Sequence, residues 1–275
     1  MLLKVILKLA IFIFTLLPSA LFANADLCTV SVERVSGDWN SGLRVRIRNN
    51  GESGIKEIKT TINFHGNDLT LPLLDSLSAK EEKVFELAPK YIPNKSGKYP
   101  VILRTRFLDE DSSSYNTLSV KLLEFGDTRY SRIFGKIDSS GSAGKYNFKL
   151  SLKNLEIKDK TVFLRALSED PVQVDPNSFS VNLKGDSSIH IQEFGVRVPL
   201  GSLYRNYPIF VVAEVDEEQY HDSLLLTSDV QRKMPELSVL WFWALIFFLS
   251  VSFCISVILE YRGNLETNSK LRFWS

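Results

Sequence analysis

An all-β chain, with two tandem β-sandwiches followed by one C-terminal transmembrane helix, is the fold class the sequence predicts. Three observations predict it. Short segments alternate apolar and polar residues with a period of two, as in Leu43-Arg44-Val45-Arg46-Ile47-Arg48, the pattern of a half-buried strand. A motif recurs: Lys98-Tyr99-Pro100-Val101-Ile102-Leu103 is answered by Asn206-Tyr207-Pro208-Ile209-Phe210-Val211, at a spacing of about a hundred residues that suits two copies of one domain. The run Leu237–Leu259 has no ionisable side chain except Cys254 and, at about 20 residues, is long enough to cross a bilayer as a helix.

The two ends set the expected topology. Lys4 and Lys8 punctuate an apolar run that reaches Leu17, Pro18 breaks it, and Ala23-Asn24-Ala25 offers a small-x-small cleavage pattern, so residues 1–25 read as a signal peptide. An uncleaved N-terminal membrane helix is the alternative. At the other end, Pro235 and Glu236 precede the apolar run, Trp241 and Trp243 sit at interfacial depth, and Glu260, Tyr261 and Arg262 close it, placing the span at 236–259. Residues 260–275 then form a cytoplasmic tail, and the body lies outside the cytoplasm.

Within the body, Leu43–Arg48 ends in Asn49-Asn50-Gly51, residues that tolerate positive φ. Ile58, Thr60, Ile62 and Phe64 alternate with Lys59, Thr61 and Asn63, and Val101, Leu103, Thr105 and Phe107 alternate with Ile102, Arg104 and Arg106. The second copy shows the same period in Tyr146, Phe148, Leu150 and Leu152. In both copies the Tyr-Pro strand runs to an acidic turn, Asp109-Glu110-Asp111 or Asp216-Glu217-Glu218, and then to a tyrosine, Tyr115 or Tyr220. Upstream, Val84–Pro89 is matched with Gly195–Leu200. About seven short strands per copy, separated by Gly-, Pro-, Asn- and Ser-bearing turns, give sandwiches of immunoglobulin-like size. The first spans 26–126 and the second 127–230, with a short joint near Gly126.

Composition excludes more than it selects. Lys and Arg total 33 against 32 Asp and Glu, a net charge of +1, so no broad field points to nucleic acid. Cys28 stands at the start of the expected ectodomain and Cys254 inside the expected span, so no internal disulfide is expected and Cys28 reads as a small buried hydrophobe. His65, His190 and His221 lack a second histidine or cysteine at metal-ligand spacing. Gly141-Ser142-Ala143-Gly144-Lys145 reads as a hairpin turn, since Tyr146 stands where a phosphate loop needs Ser or Thr. The acidic turns lack the ordered spacing of a calcium loop. No catalytic residue, metal or cofactor is predicted.

Two basic rows stand out. Arg44, Arg46 and Arg48 have outward-pointing Glu82 and Glu86 on the neighbouring strand as expected partners. Lys59, Arg104 and Arg106 share the outer face of the opposite sheet, which makes them the candidate binding residues.

The first copy resembles the immunoglobulin-like bacterial surface domains called CARDB, related to adhesion. The carrying residues are Leu43–Arg48 with Asn49-Asn50-Gly51, the strand Ile55–Phe64, and Ser96-Gly97-Lys98-Tyr99 before Pro100–Phe107. That family usually shows Pro-Gly before the tyrosine, and Ser96-Gly97 stands in here. The resemblance implies an extracytoplasmic scaffold or binding module and brings no catalytic residues.

The expected function is therefore a non-enzymatic, membrane-anchored binding or assembly module, an accessory subunit of an envelope complex. Its expected partners are the lipid bilayer and another envelope or membrane protein, and its location the cell membrane, with the body periplasmic in a Gram-negative cell. The alternative is a surface or matrix protein whose C-terminal helix is a sorting tail, against which stand the residues 260–275 after the helix.

Overall fold

The computed structural model describes residues 27–35, 42–87, 93–126, 131–142, 144–199, 202, 206–231, 243–253 and 255–258. The proposed signal peptide and cytoplasmic tail lie outside the described residues, as do 127–130 at the expected joint.

Eight strands build each half of the body. In the first they are β1 (Cys28–Arg34), β2 (Leu43–Asn49), β3 (Ile55–Phe64), β4 (Asn67–Thr70), β5 (Leu74–Leu77), β6 (Glu82–Leu87), β7 (Ser96–Leu108) and β8 (Ser114–Phe125). In the second they are β9 (Ile133–Ser142), β10 (Lys145–Asn154), β11 (Lys160–Ser168), β12 (Gln173–Asp175), β13 (Ser178–Leu183), β14 (Ile189–Arg197), β15 (Asn206–Asp216) and β16 (Tyr220–Gln231). The first sandwich sets the sheet β1-β2-β6 against β3, β4, β5, β7 and β8; the second sets β12-β14-β10-β9 against β13, β11, β15 and β16. The all-β, immunoglobulin-like sandwich architecture is therefore present in both halves.

Alternation explains the cores. Leu43, Val45 and Ile47 turn inward to meet Ile58, Ile62, Leu103 and Phe107, and Phe148, Leu150 and Leu152 meet Val162, Leu164, Ile209 and Val211 in the second half. Tyr99 and Tyr207 are each buried near the start of β7 and β15, the same place in the two halves. Two asparagines mark the repeat more sharply. Asn49 donates to Ser53 O at 2.7 Å and accepts from Gly51 N at 2.9 Å; Asn154 donates to Lys158 O at 2.8 Å and accepts from Glu156 N at 2.9 Å. Each is fully buried and also reaches the last carbonyl of a following strand, Leu77 O or Leu183 O. A buried amide is tolerable because these turn carbonyls satisfy it. Aligning the asparagines through the ladders equates Leu87 with Phe194, both opposite the first core residue of the preceding strand. The matching of Val84–Pro89 with Gly195–Leu200 is thus out of register by four residues, because Val196 lies later in β14 than Val84 does in β6.

The two large sheets are one. Tyr220 and His221 of β16 pair in parallel with Ser96 and Gly97 of β7, giving a nine-stranded sheet. Beyond this junction the outer faces of the two halves pack on each other. Ile102, Leu118, Val120 and Val212 form a third apolar cluster, edged by Leu167, Phe210 and Leu225. The sequence reading placed Ile102 outward without giving that face a cover; the second sandwich covers it.

At the C-terminal end a helix is described over residues 243–253 and 255–258. Among the described residues no helix is long and apolar enough to cross a membrane. Positions 236–242, 254 and 259 of the expected span lie outside the described residues.

Gly97 is the residue the junction cannot exchange. Its φ is +147°, and a Cβ there would lie 1.6 Å from the His221 carbonyl oxygen. Gly97→Ala should cost at least about 1–3 kcal/mol from backbone strain alone, with the clash added, and should lower the urea midpoint sharply. Gly66→Ala, at φ +77° with open space around it, should cost only about 1–2 kcal/mol. Equal midpoints for the two variants would show that the junction carries no special constraint.

Candidate functional site

The candidate site grows out of the outer face of β3, β7 and β8. Lys59 lies directly opposite Arg106, and Thr61 opposite Arg104. Across the next ladder Arg106 faces Asn116 and Arg104 faces Leu118. The structure therefore brings Lys59, Arg104 and Arg106 together, as the alternation of β3 and β7 predicts. The face changes character along the strands. Ile102, Leu118 and Val120 lie beneath the second sandwich, whereas Lys59, Arg104 and Arg106 are exposed past its edge.

That edge forms a groove of about 120 Å³ whose walls include the three cations, Glu169 and Asp170. Arg104 Nη1 donates to Ser168 O at 3.4 Å, and Arg106 Nε donates to Ser114 Oγ at 3.2 Å. Among the described residues none of the three cations forms an ion pair. Glu169 is buried and accepts the Leu118 backbone N–H at 3.1 Å, satisfying a donor on the rim of β8. Beyond Arg104 a wider groove of about 550 Å³ continues along β11, passing Phe163, Arg165, Gln173 and Asn177. Arg165 is held there by both carboxylate oxygens of Glu214, each at 2.8 Å. Sequence reasoning missed Arg165, Glu169 and Asp170, because nothing local told which face of the second sandwich would meet the first. The outward position of Ile102 was the available signal.

In the other basic row Arg44 and Arg46 are neutralised, while Arg48 forms no ion pair among the described residues. Arg44 Nη2 lies 2.7 Å from Glu86, Arg46 Nη1 3.3 Å from Glu82, and Glu33 accepts from both arginines. These are solvent-exposed surface pairs, which contribute little to stability. Cys28 is a free, buried thiol that burial pushes up to about 12, which leaves it protonated and poorly nucleophilic.

A second polar cluster surrounds the sheet junction. His65 stands at the β3–β4 turn, Tyr99 on β7 and His221 on β16. The Tyr99 and His221 rings stack at 4.3 Å, and His65 meets both edge-on at 5.1 and 5.8 Å. Lys95 bonds Asp216 at 2.8 Å and the Glu217 carbonyl at 2.7 Å. Lys160, 3% exposed, reaches Glu217, Glu156 and the Tyr220 hydroxyl. Burial alone would lower the Lys160 ammonium, but its bonds to Glu217, Tyr220 and Glu156 outweigh that and raise it. The acidic turn is thus tied by lysines, and no cluster suited to a metal occurs among the described residues.

No protein-family model matches the chain, and no curated protein matches it. Among solved structures, the native conformation of E. coli alpha-2-macroglobulin matches at 10% identity and a TM-score of 0.31, covering 78% of this chain and 17% of that one. The YadV chaperone matches at 9% identity and 0.30, covering 74% of this chain and 100% of that one. A carbohydrate-binding protein, described as such by inference, from Bacteroides uniformis matches at 10% and 0.29, covering 67% and 90%.

The junction should be acid-sensitive. Ser223 Oγ donates to Lys98 O at 2.9 Å and shares a 3.2 Å hydrogen bond with His221 Nε2, while His221 Nδ1 lies 3.6 Å from Asp216. Burial depresses the His221 pKa below its ordinary 6.5, helped by His65 and opposed by Glu214 and Asp216. Above the unfolded value both states are neutral and pH has no effect through this group. As pH falls below it, the unfolded chain takes up the proton first, so stability declines until the folded value is passed. The urea midpoint should therefore drop between pH 7.5 and 5.5, and drop less in His221→Gln. Parallel declines in the two proteins would remove His221 from the linkage.

Proposed function

We propose that this chain is a single-span, membrane-anchored module for binding and assembly, an accessory subunit of an envelope complex with both sandwiches on the extracytoplasmic side. One observation carries the reading: Lys59, Arg104 and Arg106 stand together, exposed and without ion pairs, at the groove between two joined sandwiches. Three like charges on a fixed sheet repel one another, and an acidic partner surface relieves that repulsion. The resemblance to CARDB domains points the same way.

The anchor rests on the apolar run Leu237–Leu259. In its described part Trp243, Leu245, Phe247, Phe248 and Leu249 are all exposed, a surface suited to lipid or to another membrane helix. Ser250 donates back to Ile246 O at 2.8 Å, so its hydroxyl needs no partner outside the helix. The run preceding Ala23-Asn24-Ala25 serves as the export signal.

Reversing the three charges together (Lys59→Glu, Arg104→Glu, Arg106→Glu) tests the reading. In membranes cross-linked before solubilisation, the variant should lose most of the neighbours captured with the wild-type chain. Its thermal midpoint should change little, since surface substitutions usually stay within about 0.5 kcal/mol. Unchanged capture by the variant would sink the basic groove as the binding site.

A further inference from the structure

The strand β14 carries an open sheet edge with an isoleucine, Ile189, where its counterpart in the first sandwich has a glutamate, Glu82. Val198 N donates to Gly144 O at 2.7 Å, which sets the alternation of the β10–β14 ladder. Phe194, Gln192 and His190 exchange their backbone bonds with β10, and the N–H and C=O groups of Ile189, Ile191 and Glu193 point away from it. β12 pairs with β14 only opposite Gly195–Arg197. Among the described residues no strand pairs with the edge from Ile189 to Glu193.

The first sandwich has the same geometry at β6. Asn49 N donates to Glu81 O at 2.9 Å, so Glu82, Val84 and Glu86 present the open backbone groups. There Glu82 and Glu86 guard the edge, each bonded to an arginine of β2, and charges on an edge strand discourage pairing with another chain. At β14 the residues in the places of Glu82, Val84 and Glu86 are Ile189, 64% exposed, Ile191, 49% exposed, and Glu193, so an isoleucine replaces the first of the two guarding glutamates. Phe134, 60% exposed, lies in the same cross-strand row as Ile189, on the far side of Lys153. One copy of the fold guards its edge with a glutamate at each end, and the other keeps a glutamate at one end only and leaves two exposed isoleucines beside unpaired backbone groups.

We propose that this edge pairs antiparallel with the same edge of a second copy of the chain, about a two-fold axis through Ile191. The sequence Ile189-His190-Ile191-Gln192-Glu193 is complementary to itself under that operation. Ile191 meets Ile191 of the second copy, and Ile189 meets its Glu193, so no like charges face each other. His190 falls opposite Gln192 of the second copy in a non-hydrogen-bonded pair, where side chains approach most closely. Among the described residues His190 Nε2 is buried without a hydrogen bond. The same operation applied to β6 through Val84 would set Glu82 against Glu86, which is why the second copy docks at β14 and not there. β12 and the small turn Gly185–Ser188 frame the five-residue window at its two ends. The pairing is independent of the basic groove, which lies at the other face of the molecule's large sheet.

Cross-linking on the full-length chain in detergent micelles tests the proposal. In a Cys254→Ser background, with Cys28 buried, Ile191→Cys should give a disulfide-linked dimer on mild oxidation, since paired strands hold opposite Cα atoms about 5.5 Å apart. Val84→Cys should stay monomeric under the same treatment. By light scattering the unsubstituted chain should be a dimer, and Ile191→Lys should convert it to a monomer. A monomeric unsubstituted chain, equal cross-linking at both positions, or a dimer indifferent to Ile191→Lys would each overturn the proposal. A monomer whose Ile189–Glu193 amides are nevertheless protected from exchange in native membranes would assign the edge to an extended segment of another protein.

Discussion

The architecture depends on one close backbone approach, Gly97 against the His221 carbonyl. Only a residue without Cβ lets β16 come alongside the start of β7, and only that pairing merges two sandwich sheets into one. Once the strands are joined there, their outer faces are directed at each other, and Ile102, Leu118 and Val120 find Val212, Leu167 and Phe210. The polar groups at the junction are then obliged to pair. Ser223 reaches the Lys98 carbonyl, Lys95 reaches Asp216, and the Tyr99 ring stacks on His221. Two domains that could have been strung on a joint share one sheet because a glycine stands at the crossing point.

The same packing explains the candidate site. β3, β7 and β8 present a single outer face, yet its residues change from apolar at Ile102 and Val120 to basic at Arg104 and Arg106. The change comes where the second sandwich stops, at the loop bearing Glu169 and Asp170. Arginine beneath that cover would have to shed its hydration without a partner, a cost of several kcal/mol per ion. Isoleucine past the cover would gain nothing by exposure. The groove is therefore a boundary between two solvents for one sheet face, and its cations stay wet while its floor stays dry.

Much of this was legible because a strand's period of two reports facing directly. The inward sets in β2, β3, β7 and β10, the salt bridges of Arg44 and Arg46 and the grouping of Lys59 with Arg104 and Arg106 all follow from alternation plus the neighbour order of a sandwich. What alternation cannot report is which outer face meets another domain. Ile102 among outward residues was a sign of cover, but its partners Val212 and Phe210 lie over a hundred residues away. The repeat was legible in its tyrosines and misplaced at β6 and β14, because apolar letters recur in any strand. Asn49 and Asn154 would have been the better anchors: a buried amide that must satisfy three turn carbonyls and amides has far fewer places to stand than a valine does. The acidic turn Asp216-Glu217 illustrates the limit most plainly. Its oxygens look available in sequence and are held in space by Lys95 and Lys160, which come from other strands.

A duplicated domain frees one copy's surfaces from duties the other discharges, and the two halves here have diverged accordingly. They keep the features on which folding depends: the buried asparagine after the second strand, the buried tyrosine on the long strand, and the acidic hairpin. They differ at the surfaces. The first half keeps its β6 edge guarded by Glu82 and Glu86 and exposes cations on its sheet face; the second spends its sheet face on covering the first and leaves Ile189 and Ile191 exposed on its β14 edge. Neither arrangement is what stability alone would select. Exposed Ile189 and Ile191 lose the transfer energy of burial, roughly 1.5–3 kcal/mol for each fully buried side chain, and three unpaired cations gain no ion-pair energy. Each sandwich thus carries one surface whose chemistry is incomplete in the isolated chain, a contact face in the first and a pairing edge in the second. The strand pairing between the halves links the two surfaces, so that whatever one surface holds is coupled to what the other joins.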